Sequence, residues 1–323
     1  MTNALYGEML TKIEAQISHL DFPESPKNLY DPIRYIMSLG GKRVRPVLAL
    51  MGCQLYGAPY SKALPQAMAI ELFHNFTLMH DDVMDSADVR RALPTVHIKW
   101  NHNIALLSGD AMMVMAYRHL FNCETSISQS LGGLFSKTAI EVCEGQQLDM
   151  DYAIQADVTI EQYLEMIRLK TAVLLSGSLK IGAVVGGADP KKLDLIDQFA
   201  EAVGLAFQVK DDFLDAFGGE EFGKATGGDI IEGKRTWLTL KSLAVADAKT
   251  RVELMEAFDV KEPTERVSRV LAIYKRLRID ELAEAEVKKY SMQAKEALDQ
   301  IQGEARAKEA LEWLVDQLIG RRT

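Results

Sequence analysis

Residues 189–219 read DPKKLDLIDQFAEAVGLAFQVKDDFLDAFGG. Leu193, Ile196, Phe199, Val203 and Phe207 recur at the three- and four-residue spacing of an amphipathic helix. Asp189-Pro190 has the form of an N-cap and first-turn pair, and Gly218-Gly219 that of a helix stop, so the stretch predicts one helix from Asp189 to Phe217. That helix ends on Asp211-Asp212-Phe213-Leu214-Asp215, a poor place for carboxylates, which oppose the macrodipole there and repel one another. The device occurs twice. A helix starting near Pro65 and running to about Asp88 carries Asp81-Asp82-Val83-Met84-Asp85 on its last turns. At ~100° per residue Asp81 and Asp85 lie within ~40° of each other, whereas Asp82 points elsewhere, as Asp212 does in the second motif. A single such motif reads equally well as a solvated acidic face. Two copies at the ends of apolar helices point to hard divalent cations with oxygen ligands, and Mg²⁺ takes substrate phosphates as co-ligands. All six aspartates, Asp81, Asp82, Asp85, Asp211, Asp212 and Asp215, are candidate metal ligands.

Outward from these motifs the punctuation is that of helices. Asp31-Pro32 repeats the N-cap pattern, Gly40-Gly41 and Gly186-Gly187 the stop, and no alternating strand pattern persists. About a dozen helices and essentially no sheet are expected, an all-α fold. With no Ser/Gly-rich linker, charge block or composition break, residues 1–323 are expected to form one domain. A chain that is 48% hydrophobic and 26% charged is not disordered, and its net charge of −9 argues against a nucleic-acid binder. No basic region followed by an apolar run opens the sequence, and the most apolar windows, 104–121 and 171–188, are broken by Asp110 and Lys180. Neither a signal peptide nor a transmembrane segment is expected. Three cysteines, Cys53, Cys123 and Cys143, without CxxC spacing, fit a reducing cytoplasm.

Cations cluster elsewhere. In Gly40-Gly41-Lys42-Arg43-Val44-Arg45-Pro46 the glycines end one helix and Pro46 opens the next, so three cations crowd the positive end of a helix dipole, where an anion would hold them. Arg90-Arg91, just after the first acidic motif, has the form of a phosphate clamp. Lys170-Thr171 lies inside an apolar helix, where a lysine needs a partner. Lys224 sits in a Gly-rich stretch with the look of a mobile lid, and Lys234-Arg235 follows it. His74, seven positions before Asp81, shares its helix face.

Taken in order, GGKRVRP (40–46), DDVMD (81–85), RRALPTVH (90–97), LKTAVLL (169–175), DDFLD (211–215) and FGKATGGDI (222–230) resemble the trans-isoprenyl diphosphate synthases, the short-chain head-to-tail prenyltransferases. The resemblance implies a helical bundle around a deep central cavity, the two aspartate motifs facing one another near its mouth, and a homodimer. It implies Asp81 and Asp85 bridging Mg²⁺ to the diphosphate of an allylic substrate, with Asp211 and Asp215 holding a further ion, three in all, and Mn²⁺ as a substitute. Arg90, Lys170, Lys224 and Lys234 would bind that leaving group. Gly41, Lys42, Arg45, His74 and Arg91 resemble the pocket for isopentenyl diphosphate, Thr171 and Gln208 the groups lining the reacting carbons. Arg321-Arg322 resembles a basic tail that closes over the second substrate. Ionisation of the allylic C–O bond then gives a cation that the double bond of isopentenyl diphosphate attacks, in a cavity that excludes water.

An aromatic at Phe76, five residues before Asp81, with the small Thr77 beside it and no insertion in the first motif, resembles the geranylgeranyl synthases. The expected product has twenty carbons, with fifteen next. Two positions depart from the family pattern: Ala92 stands where Gly is common, its demand read as space for a small residue, and Lys210 precedes the second motif, beside Asp211. The competing readings are a class I terpene cyclase, which would carry an Asn/Ser/Glu-type second motif in place of DDFLD, and a non-catalytic regulatory subunit of a prenyl synthase.

Overall fold

The computed structural model describes residues 3–155, 157–218 and 227–319. In chain order its helices are α1 (Ala4–Ser18), α2 (Lys27–Ser38), α3 (Val44–Leu55), α4 (Leu64–Met84), α5 (Val96–Lys99), α6 (His102–Leu120), α7 (Thr125–Ile154), α8 (Ile160–Ile167), α9 (Val173–Val185), α10 (Asp194–Phe217), α11 (Gly228–Glu232), α12 (Trp237–Val245), α13 (Ala248–Phe258), α14 (Pro263–Arg276), α15 (Ile279–Gln300) and α16 (Ala305–Ile319). The fold is all-α. No helix among the described residues is long and apolar enough to cross a membrane.

The chain clusters into two compact units. One comprises Met1–Lys137, Gly177–Leu193 and Gln302–Leu311, the other Thr138–Ser176, Asp194–Ile301 and Glu312–Thr323; three of the five divisions fall inside α7, α9 and α16, and the other two in the connections before α10 and before α16. In the first unit α3 and α4 form the interior. Val47 to Met51 on α3 and Ala67 to Phe73 on α4 are buried on every face, as expected of helices that are apolar all round. Phe73 meets Phe135 edge to face with ring centroids 5.3 Å apart. In the second unit α10 lies along α15. Ile196, Phe199, Val203, Ala206, Val209 and Phe213 form its buried stripe, against Val287, Tyr290, Ala294 and Leu298 of α15. Each large side chain in that seam contributes roughly 1.5–3 kcal/mol by leaving water.

Four local expectations are corrected. Asp189 does not cap a helix: its Oδ1 accepts from the Lys191 amide at 3.0 Å, closing a local turn, and α10 begins five residues later. Pro32 lies inside α2, with Asp31 paired to Arg34 at 2.7 Å; burial of Pro32, Ile33, Ile36 and Met37 outweighs the hydrogen bond that proline forfeits. α4 stops at Met84, with Asp85 as its C-cap. The chain also contains one strand pair among the described residues, Val89–Arg90 (β1) against Leu93–Pro94 (β2), antiparallel around Arg91 and Ala92. Both turn residues are left-handed, at φ +54° and +62°, the geometry of a two-residue hairpin. Position 92 thus demands a positive φ, not merely a small side chain.

Candidate active site

In the first unit the basic loop after α2 divides its three cations. Gly40 and Gly41 carry φ of +76° and +144° and reverse the chain, and Arg43, left-handed at φ +48°, caps α3. That turn drives the Arg43 side chain into the core. It donates to Glu71 Oε1 at 2.5 Å, Glu14 Oε1 at 3.0 Å and the Met37 carbonyl at 2.9 Å. Glu71 also takes Asn75 Nδ2 at 2.9 Å. Arg43 is therefore an anchor within the protein, and Lys42 is left exposed. Arg45, on the first turn of α3, places Nη1 3.2 Å from His74 Nε2 on α4. Guanidinium only donates, so Nε2 accepts and the imidazole carries its proton on Nδ1. Burial, with Arg45, Arg91, Arg90 and Arg43 adding to it, holds His74 well below the ordinary histidine range. Burial also lowers the Arg45 guanidinium to about 10, against the pull of Glu71, and Arg45 Nε is buried with no hydrogen-bond partner.

Arg91 completes this cluster from the hairpin. Its guanidinium lies over Gly41, where a Cβ would come within 2.9 Å of Nη2. Burial and the Arg43 charge lower its pKa. Cations that repel one another, with Arg45 desolvated and its buried Nε–H orphaned, form a site that an anion stabilises.

The expected Arg90-Arg91 clamp is thereby divided. Arg90 turns to the other side of the hairpin, its Nε 2.9 Å from both carboxylate oxygens of Asp82 and its Nη2 2.7 Å from Oδ1. Asp82 is buried. Asp81 is half-buried and Asp85 exposed, one helical turn apart at the end of α4. Further down α4, Thr77 Oγ1 donates to the His74 carbonyl at 2.8 Å. Half-buried Phe76 lies between Phe73 and His80, with centroid separations of 5.7 and 4.7 Å.

In the second unit Asp212 is the buried member of its motif. It accepts from Tyr163 Oη at 2.6 Å, the Trp237 amide at 2.9 Å and Gln208 Nε2 at 3.0 Å, which ties α8, α10 and α12 together. Burial pushes it up to about 7 despite those donors. Gln208, expected at the reacting carbons, is engaged in this network. Asp215 Oδ2 accepts from the Asp229 amide at 2.9 Å and its carbonyl from the Gly227 amide at 2.7 Å, so it anchors the start of α11. Asp211 is exposed. Lys234 pairs with Glu232 at 2.7 Å and Asp229 at 3.5 Å. Lys210 places its ammonium over the Phe213 ring, 4.5 Å from the centroid. Lys170-Thr171 occupies a π-helical turn, Arg168–Ala172, between α8 and α9, and Lys170 Nζ reaches Asp149 Oδ2 at 2.5 Å. Lys224 and Arg321-Arg322 lie outside the described residues.

Among the described residues no three His, Cys, Asp or Glu side chains converge into a complete ion cage. Carboxylates alone, hard oxygen donors in incomplete sets, suit a divalent cation that keeps water and phosphate oxygens in its shell. Sequence reasoning missed Glu71, Asn75, Asp149 and Tyr163. Glu71 carried one signal, a carboxylate on an otherwise apolar helix face, which required a buried cation.

Comparison with known proteins identifies the family. The chain matches the polyprenyl synthetase family over residues 26–277. It is 35% identical over 319 residues to the short chain isoprenyl diphosphate synthase of Methanothermobacter thermautotrophicus, covering 98% of this chain and 96% of that one. It is 33% identical to the geranylgeranyl diphosphate synthase of Sulfolobus acidocaldarius, over 98% of each chain. A crystal structure of a geranylgeranyl pyrophosphate synthase, 40% identical, superposes with a TM-score of 0.91 over 99% of this chain and 98% of the other. Fold, ordered motifs and full-length similarity converge: the chain belongs to the polyprenyl synthetase family, as a trans-isoprenyl diphosphate synthase.

Proposed function

We propose that this enzyme, a short-chain prenyltransferase by family, condenses isopentenyl diphosphate with an allylic diphosphate, releases diphosphate and stops at twenty carbons. The observation that carries the reading is the Arg45–His74–Arg91 cluster of the first unit, cations that would hold a second diphosphate. A cyclase, with one diphosphate to bind, has no use for it. The relatives' names, geranylgeranyl among them, support the product length, as does Phe76 below Asp81.

In this reading Lys42, Arg45 and Arg91 grip isopentenyl diphosphate, and Gly41 gives Arg91 its seat. Neutral His74 accepts from Arg45 and so orients the guanidinium without adding repulsion. Asp81, Asp85 and Asp211 hold the divalent cations, Mg²⁺ and three in number, while Asp82, Asp212 and Asp215 brace the ligating ends of α4 and α10. Those cations, when bound, neutralise the leaving diphosphate. Arg90, Lys170, Lys224 and Lys234 add positive charge toward it, and Thr171 and Gln208 border the reacting carbons. Phe76 and Thr77 close the space available to the growing chain. The exposed Leu107 and Val114 on α6 and Phe121 at its C-cap, repeating every seven residues, support a homodimer, and the location in this reading is cytoplasmic.

The test is incubation with Mg²⁺, labelled isopentenyl diphosphate and, separately, dimethylallyl, geranyl and farnesyl diphosphates, with dephosphorylated products resolved by chain length. A linear twenty-carbon alcohol is expected. Cyclic hydrocarbons, or no elongation from any primer, would overturn the reading.

A further inference from the structure

The α7 stretch Gly145-Gln146-Gln147-Leu148-Asp149 belongs to none of the motifs above, yet it meets Lys170 at two points. Lys170 sits in the π-helical turn Arg168–Ala172, where one extra residue per turn widens the backbone. On one side of that turn a Cβ at Gly145 would fall far inside contact distance of the Lys170 amide, 2.6 Å from the Leu169 carbonyl carbon and 2.7 Å from Lys170 Cα. On the other side α10 presents Gly204, where a Cβ would lie 2.5 Å from Ala172 Cβ and 2.8 Å from its Cα. The widened turn is thus held between two helices at backbone contact, and the obstacle at Gly145 is main chain, which cannot swing aside. Four residues beyond Gly145, and so on the same face of α7, Asp149 takes the Lys170 ammonium at 2.5 Å, with both side chains partly exposed.

We propose that Gly145 and Asp149 are positioning residues for Lys170: Gly145 sets where its backbone stands, and Asp149 sets where its ammonium points before the allylic diphosphate arrives. The inference rests on the reading of Lys170 as a ligand of that diphosphate. An ammonium on a four-carbon stem has many rotamers, and ordering it beforehand removes an entropic penalty from substrate binding. Arriving diphosphate then shares the ammonium with a carboxylate already in place.

The experiment compares Gly145→Ala and Asp149→Asn, each alone and combined with Lys170→Gln, in steady-state assays that vary the allylic diphosphate and isopentenyl diphosphate independently. Lys170→Gln is expected to lower kcat/KM for the allylic substrate about 10²-fold. Each α7 variant alone should lower it about tenfold or more, since ~1 Å of misplacement is enough, while KM for isopentenyl diphosphate stays unchanged. In the Lys170→Gln background neither should lower the rate by more than about twofold, the non-additivity of groups acting through one another. Full additivity, or wild-type rates for the α7 variants beside a crippled Lys170→Gln, would refute the inference and leave the role of Lys170 intact. A wild-type rate for Lys170→Gln itself would refute both. Should Gly145→Ala fail to fold, Asp149→Asn decides alone, because a partly exposed pair can be broken without opening the core.

Discussion

Gly41 carries φ +144° and lies under the Arg91 guanidinium, so Gly41→Ala perturbs two things at once. The added Cβ would stand 2.9 Å from Nη2 and 3.1 Å from Cζ and Nη1. Ordinary carbon contacts lie at about 3.5–4.0 Å, so the guanidinium must withdraw by roughly 0.5–1 Å. That withdrawal is cheap in stability, because the far end of an exposed side chain moves. It is expensive in binding, where ~1 Å of misplacement costs up to about 10²-fold. The backbone strain adds about 1–3 kcal/mol of destabilisation, a fall of several degrees in Tm for a chain of this size. Gly40→Ala separates the two effects: at φ +76° it is strained in the same way, but a Cβ there meets nothing within 4 Å. The assay is steady-state kinetics with the two diphosphates varied independently, beside thermal melts of both variants. Gly41→Ala should raise KM for isopentenyl diphosphate by tenfold or more, on the same scale of misplacement. Its KM for the allylic primer should stay near wild type, and Gly40→Ala should share only the loss in Tm. Equal kinetic damage in both variants would refute the reasoning, since strain alone would then account for it.

Three further outcomes are expected. Phe76→Ala should lengthen the main product, read by chromatography of the dephosphorylated alcohols; an unchanged length would remove Phe76 from the floor. His74 stays neutral in the folded chain while an unfolded histidine takes up a proton below about pH 6.5, so its share of stability is present above that pH and is lost on acidification, by up to about 1.4 kcal/mol per pH unit. Melting curves of the wild type and His74→Gln between pH 7 and 5 should therefore converge as pH falls, and parallel curves would show that His74 titrates normally. Val114→Glu, at a position 70% exposed on the α6 stripe, should leave the fold intact and shift sedimentation from dimer to monomer; an unshifted dimer would place the interface elsewhere.

Part of the site was legible because its chemistry is local. Asp81 and Asp85 share a face by helical period alone, and the crowding of Lys42, Arg43 and Arg45 called for an anion wherever the chain went. What the period could not say was which cation turns inward. Arg43 is buried and Arg45 reaches His74 because a left-handed residue at 43 rotates the loop, and that conformation is held by Glu71, far along the chain on α4. The division of Arg90 from Arg91 has the same origin. Two residues adjacent in sequence part company at a hairpin whose turn is left-handed, and their partners, Asp82 and Gly41, lie on different elements.

By itself, then, the sequence determined the all-α class, the family and the identity of the charged motifs, because hydrophobic period, helix stops and motif order are properties of neighbours along the chain. Tertiary structure alone decided that Asp82 and Asp212 are the buried acids of their motifs, that Gln208 donates to Asp212, and that Asp149 and Gly145 meet Lys170 across a π-helical turn. Those outcomes depend on desolvation and on packing between distant segments: a carboxylate's role follows from the donors that surround it once water is gone, and spacing along one helix carries no record of them.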